Sequence, residues 1–197
     1  MGRCLFKVVI VSKNEREIIE KEGIDMDVLI KKLRKAGAAE LLTYYYYTLL
    51  RYNLAGPDAE SFKEITEDAR LEDRCHFEIL VQRIYELGGE FYPTLRELEE
   101  DTACGSPYLP KDRSAKSILK VLLDAERCAE RVYHDLCKFT FGKDPITYDL
   151  SLAILHEEVE HEAWFEELLG IGPSGHFKRR FPGESPYTRK FRHIEKE

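Results

Sequence analysis

The chain is short of residues that interrupt helices. Among 197 residues only 12 are glycine and 8 are proline, while 34% are charged. A β-sandwich or barrel needs turn residues about every eight to twelve positions, so this shortage argues against one and for long helices. No apolar run approaches the roughly 18 residues of a membrane span. The opening stretch MGRCLFKVVIVSKNE lacks the small-residue cleavage site of an export signal, and is expected to belong to a mature, cytoplasmic protein. Basic charge is not in excess: the net charge is −7, which argues against a whole surface built to bind nucleic acid. The five cysteines, Cys4, Cys75, Cys104, Cys128 and Cys137, are odd in number and contain no C-x-x-C pair. A full disulfide framework is therefore not expected, nor an attached iron centre built on such pairs; one bonded or redox-active pair stays open.

The pattern that is present is helical. Apolar residues recur at three- and four-residue steps, as in Ile79, Leu80, Ile84 and Leu87, over four segments: 25–54, 57–87, 114–141 and 145–169. Turn chemistry ends them at AGPD (55–58), GG (88–89), Gly142 and Gly170. The first and second segments are joined by a few residues, and so are the third and fourth, which makes each pair an antiparallel hairpin. A long connection, 88–113, separates the hairpins, and within it TLRELEED (94–101) reads as a short helix. The expectation is an all-α four-helix bundle at 25–170 with one long crossover. Residues 1–24 form an N-terminal extension and 171–197 a basic C-terminal one. From Gly172 onward the latter carries seven Lys or Arg against three Glu and no helical period. It is expected to pack across subunits through Phe177, Phe181, Tyr187 and Phe191, with DNA as the alternative partner for its cations.

Carboxylates and histidines recur in step with this architecture. HEEVEHEAWF contains His156 and His161 five apart, so it is not the HExxH of a zinc protease. Glu158 and His161 are three apart and share a helix face; Asp73 and His76 repeat that spacing in EDRCH. Glu40 precedes Asp73 by 33 residues and Glu126 precedes Glu158 by 32. The hairpins thus read as related halves, each with a carboxylate on its first helix and a carboxylate–His pair on its second. Folded antiparallel, they bring Glu40, Asp73, His76, Glu126, Glu158 and His161 to one level. Glu72, four before His76, shares that face and is the alternative to Asp73. Four ionised carboxylates cannot be buried without counter-charge, and two divalent cations supply it. The mixed oxygen and imidazole set suits a di-iron centre, with manganese or zinc able to substitute. At about 100° per residue, Tyr47 in the run ELLTYYYYTLL lies only about 20° from the meridian of Glu40. It is placed to hydrogen-bond a ligand carboxylate or donate an electron; Tyr44 lies about 40° away, and Tyr45 and Tyr46 point elsewhere.

The stretches ELLTYYYY, EDRCHFEILVQRIYELGG and HEEVEHEAWFEELLG resemble the di-iron segments of bacterioferritins. The long crossover with its own helix is similar to that of Dps (DNA protection during starvation) proteins. Together with DTACGSPYLP and LLDAERCAE, the combination resembles the Dps-like, or thioferritin, group of the ferritin-like superfamily over roughly residues 25–175. That resemblance implies a hollow dodecamer that oxidises Fe(II), preferably with hydrogen peroxide over dioxygen, at an intrasubunit di-iron site, storing iron and protecting against oxidative stress. It implies the same six ligands, with Asp73 departing from the glutamate of bacterioferritins. It also implies that Cys104 and Cys128 are the family's paired cysteines. The alternatives are a rubrerythrin-like di-iron peroxidase fed by that cysteine pair, and a mainly DNA-binding shell.

Overall fold

A computed structural model describes residues 13–57, 59–173, 175 and 179–191. Cys4 and Phe177 lie outside the described residues, as do the tail cations Lys178, Arg192 and Lys196. Among the described residues six α-helices follow one another, α1 (Lys13–Lys21), α2 (Met26–Asn53), α3 (Ala59–Glu86), α4 (Leu95–Glu100), α5 (Ala115–Thr140) and α6 (Pro145–Leu168), and a 3-10 turn spans Arg189–Phe191. The described residues contain no strand, and none of these helices is long and apolar enough to cross a membrane.

Short polar side chains set where the helices begin. Asp25 caps α2 by accepting from the amides of Asp27 and Val28, Thr94 caps α4, Ser114 caps α5, and Asp144 caps α6 ahead of Pro145. Gly88, at φ 79°, closes α3 through its amide to the Tyr85 carbonyl. Helix α2 lies along α3 and α5 along α6; α2 also meets α5, and α3 meets α6. This is a four-helix bundle with its long crossover between the hairpins. The crossover, with α4, lies on α2, where the absence of a side chain at Gly37 admits the ring of Phe91.

Two apolar plugs fill the bundle. One gathers Leu29, Leu33, Leu80, Ile84, Leu136, Leu150 and Ile154; the other gathers Tyr47, Leu50, Leu119, Leu122, Trp164 and Phe165. A buried aliphatic side chain contributes about 1.5–3 kcal/mol, so each plug is a strong clamp. Between them, at the middle of all four long helices, lies a buried polar layer.

Two features add to the sequence reading. The N-terminal extension includes helix α1, whose single buried residue is Ile19. The described part of the C-terminal tail lies on its own bundle: Phe191 packs on the first plug, and Tyr187 stacks on His156 with centroids 4.9 Å apart. Phe181 remains 59% exposed. A non-helical segment carries no repeat to show which of its residues turn inward, so this docking had no periodic signal.

Candidate metal centre

The polar layer is made of Glu40 from α2, Glu72, Asp73 and His76 from α3, Glu126 from α5, and Glu157, Glu158 and His161 from α6, all buried. Glu40, Asp73, His76 and Glu158 offer ligand atoms within 4.8 Å of one another, as do Glu126, Glu158 and His161. Glu158 belongs to both groups, so the site is two adjoining cages with a shared wall. His76 Nδ1 lies 2.9 Å from Glu158 Oε1 and 3.4 Å from Glu40 Oε2. His161 Nδ1 lies 3.4 Å from Glu126 Oε2, 3.8 Å from Glu158 Oε2 and 4.0 Å from Asp73 Oδ1. The two imidazoles are nearly parallel, at 26°, with centroids 6.3 Å apart.

Asp73 and Glu72 take different places. Asp73 faces the cages. Glu72 sits behind the other hairpin's histidine, with Oε2 2.9 Å from His161 Nε2. Glu157 makes the mirror contact, 2.6 Å from His76 Nε2. An ionised carboxylate can only accept, so both Nε2 atoms carry hydrogen and Nδ1 is the nitrogen of each ring that faces the cages, free to bind a metal once it gives up its proton.

Tyr47 is fully buried, but its hydroxyl has no hydrogen-bond partner; its ring meets Phe165 edge-on at 6.1 Å. The phenol that does reach a cage carboxylate is Tyr133 of α5, which donates to Glu40 Oε1. Tyr44 lies under the Arg70 guanidinium, and Tyr45, 55% exposed, meets Tyr46 edge-on. Tyr133 and Glu157 were missed in the sequence, although signals exist. Tyr133 follows Glu126 by seven residues just as Tyr47 follows Glu40, and both ExxH-type motifs are preceded by a second acid, as ED at 72–73 and EE at 157–158.

The electrostatics describe a site that needs cations. Burial, then the charges of Glu40 and Glu158, hold Asp73 well above the usual carboxylate range; burial and Glu158 do the same to Glu126, and both also raise Glu40. Burial also works against ionised Glu158, yet His161 and His76 keep it below that range. Both imidazoles are pushed well above their usual value by surrounding carboxylates, against burial. Five buried atoms, His76 Nδ1, His161 Nδ1, Asp73 Oδ2, Glu126 Oε1 and Glu158 Oε1, have no hydrogen-bond partner. Buried polar atoms are rarely left this way. Here they converge, and their donor chemistry fits a pair of divalent metals.

Cys104, in the crossover, and Cys128, two positions past Glu126, form a disulfide with Cα atoms 6.0 Å apart. Beside it a cavity of about 170 Å³ is lined in part by Ser106, Tyr108 and Asp124. Cys75 and Cys137 are free and buried. Among the seven tail cations, Arg179 bonds Glu72 and Glu160, Lys190 bonds Asp149, and Arg189 faces Glu184 at 4.0 Å.

Comparison with known proteins agrees with this architecture. The ferritin-like domain family matches residues 30–173. The chain is 60% identical over 179 residues to a DNA protection during starvation protein of Pyrococcus furiosus, a match covering 91% of this chain and 97% of that one. The dodecameric thioferritin of Bacteroides fragilis, a bacterioferritin-related protein, superposes with a TM-score of 0.78 at 30% identity, over 81% of this chain and 94% of that one. Dps from Listeria monocytogenes shares the fold, with a TM-score of 0.68 at 17% identity over 75% and 95% of the two chains.

Proposed function

The chain belongs to the ferritin-like family and to its Dps-like group, and we propose that each subunit binds two ferrous ions in the adjoining cages, oxidises them with hydrogen peroxide or dioxygen, and retains the ferric product in a closed assembly of twelve copies. Iron storage and protection from oxidants follow from that activity. The observation that carries the reading is the convergence of five unpartnered buried atoms on one space bounded by Glu40, Asp73, His76, Glu126, Glu158 and His161. The bound pair would supply one electron from each iron, so that peroxide takes two electrons and two protons and leaves as two waters.

The protein's own part is binding, orientation and exclusion of water. Glu158 offers oxygens to both cages, so it would hold two bound ions as neighbours. Glu72 and Glu157 keep the Nε2 protons, leaving Nδ1 as the ligand atom of each ring. Tyr133 fixes one oxygen of Glu40. The apolar plugs shield the layer at both ends, which strengthens each charge interaction inside.

Anaerobic ferrous loading followed by peroxide tests the reading. Two irons bound per chain, one peroxide consumed per two irons, and iron retained in particles of assembly size are expected. Loading below one iron per chain, or oxidation no faster than in buffer, overturns it.

The Cys104–Cys128 bond, beside its cavity, favours a second reading: a peroxidase with a dithiol as electron source. Two thiols would lose two electrons and two protons to form the S–S bond, and peroxide would leave as two waters. Multiple turnovers of peroxide with a small dithiol and no added iron distinguish this from storage.

A further inference from the structure

The C-terminal segment reaches both histidines from outside the bundle. Arg179 Nε donates to Glu72 Oε1 at 3.1 Å, and Glu72 Oε2 holds His161 Nε2. The Thr188 amide donates to Glu157 Oε1 at 2.8 Å and its hydroxyl lies 3.3 Å from Oε2, the oxygen that holds His76 Nε2. Two parallel chains of hydrogen bonds therefore run from one stretch of tail, through one carboxylate each, to the far side of each metal-facing ring.

The segment between these contacts is tightly seated. Ser185 and Thr188 are fully buried. The Gly183 amide donates to Asp68 at 3.1 Å, and Gly183 adopts φ +71° with Leu71 so close that a Cβ would lie 2.3 Å from that of Leu71. Only glycine allows both that backbone conformation and that approach. Arg179 is also fixed by Glu160 at 2.6 Å and by the Trp164 ring beneath its guanidinium, while Trp164 itself lies against His161.

We infer that residues 179–188 form a strap that fixes the orientation and the Nε2–H tautomer of both metal-facing imidazoles, with Arg179 and Thr188 as positioning residues for metal affinity. The inference rests on the two-metal reading of the cages. A carboxylate whose second oxygen is free can rotate away from the imidazole it serves; with that oxygen held, the ring has one partner in one place. Losing such a supporting partner typically costs about 10–100-fold in metal affinity.

Cobalt(II) titration of the metal-free, full-length assembly is the test. The wild type is expected to bind two Co(II) per chain and to show two exchangeable, strongly shifted imidazole N–H proton signals. Arg179→Leu should weaken binding by roughly 10–100-fold and speed solvent exchange of one N–H signal, that of His161, leaving the other in place. Arg179→Lys, which keeps the charge on Glu72, should recover most of the affinity. Lys190→Ala, which removes tail contacts to Asp149 and to the Phe191 ring but none to Glu72 or Glu157, should change neither readout. An assembled Arg179→Leu protein with wild-type affinity and both signals unaltered overturns the strap. If that variant does not assemble, Arg179→Gln decides, since it keeps one donor without charge: several-fold weaker binding supports the strap, and wild-type binding overturns it. Failure of the wild type to take up two Co(II) sinks the cage reading instead.

Discussion

Tyr133 reaches across the bundle from α5 and donates its phenol hydrogen to Glu40 Oε1 on α2, 2.5 Å away. Tyr47, at the matching position of the other hairpin, is as deeply buried, yet its hydroxyl is unpartnered. The same substitution should therefore have different effects at the two sites. Tyr133→Phe leaves a buried carboxylate oxygen without its donor and should destabilise the metal-free protein by about 1–3 kcal/mol. Tyr47→Phe removes a hydroxyl that makes no hydrogen bond and keeps the edge-on contact with Phe165, so its stability should stay within about 0.5 kcal/mol of wild type. Denaturation midpoints measured side by side check this, and equal losses would refute it. Iron oxidation by Tyr47→Phe at the wild-type rate would remove Tyr47 from the reaction altogether.

Among the described residues, Glu158 is the one whose oxygens belong to both groups of converging ligand atoms. Glu158→Ala should weaken both metal sites together, whereas Glu126→Ala should weaken one and leave a single tight ion per chain. Calorimetric titration with zinc gives the stoichiometries directly. A Glu158→Ala protein that still binds one ion at wild-type affinity would show that the cages do not share this wall.

The legible and illegible parts of the molecule divide along a physical line. Residues on regular helices advertise their faces through fixed spacing, so Glu40, Asp73, His76, Glu126, Glu158 and His161 could be placed at one level from their intervals. Asp73 rather than Glu72 repeats the three-residue step from Glu158 to His161, whereas the hairpin intervals do not separate the two, since Glu40 stands 33 residues before Asp73 and 32 before Glu72, against 32 from Glu126 to Glu158. What Glu72 does was not visible. It serves the histidine of the opposite hairpin, and that contact depends on how closely α3 and α6 approach. Arg179 and Thr188 lie in a segment without period, so nothing in their spacing indicates that they turn inward. Helix α1 was missed because nine residues with one buried position, Ile19, offer too short a pattern.

The disulfide between Cys104 and Cys128 ties the crossover to α5 across a separation of 24 residues. Closing a loop of that size in the unfolded chain is worth about 3 kcal/mol. Cys128→Ser should lower stability by about that amount and leave metal stoichiometry unchanged, because neither sulfur belongs to the converging ligand groups. Unfolding curves of the variant and of the wild type with and without reductant supply the comparison. If reduction and substitution both left the midpoint in place, the bond would not be restraining the unfolded chain.

Glu130 on α5 lies against Glu162 on α6, one turn along from the cages. Burial, then the neighbouring Glu162 carboxylate, push Glu130 up to about 7. Arg127 bonds Glu162 and Glu166 at 2.7 and 2.6 Å, and Glu130 Oε1 is left without a partner. In the unfolded chain a glutamate titrates near about 4.3. Between that value and about 7 the folded protein keeps a proton on Glu130 that the unfolded chain has given up. Its contribution to stability is thus complete below the lower value and is lost as pH rises through the upper one. Glu130→Gln imitates the protonated form at every pH. The variant should match wild type near about pH 4, below the unfolded value, and exceed it at pH 8, by less than about 1 kcal/mol because partly exposed charges are screened. Denaturation midpoints at the two pH values, with both proteins in the same metal state, measure the difference. A gain of equal size at both pH values would mean that the proton on Glu130 is not its source.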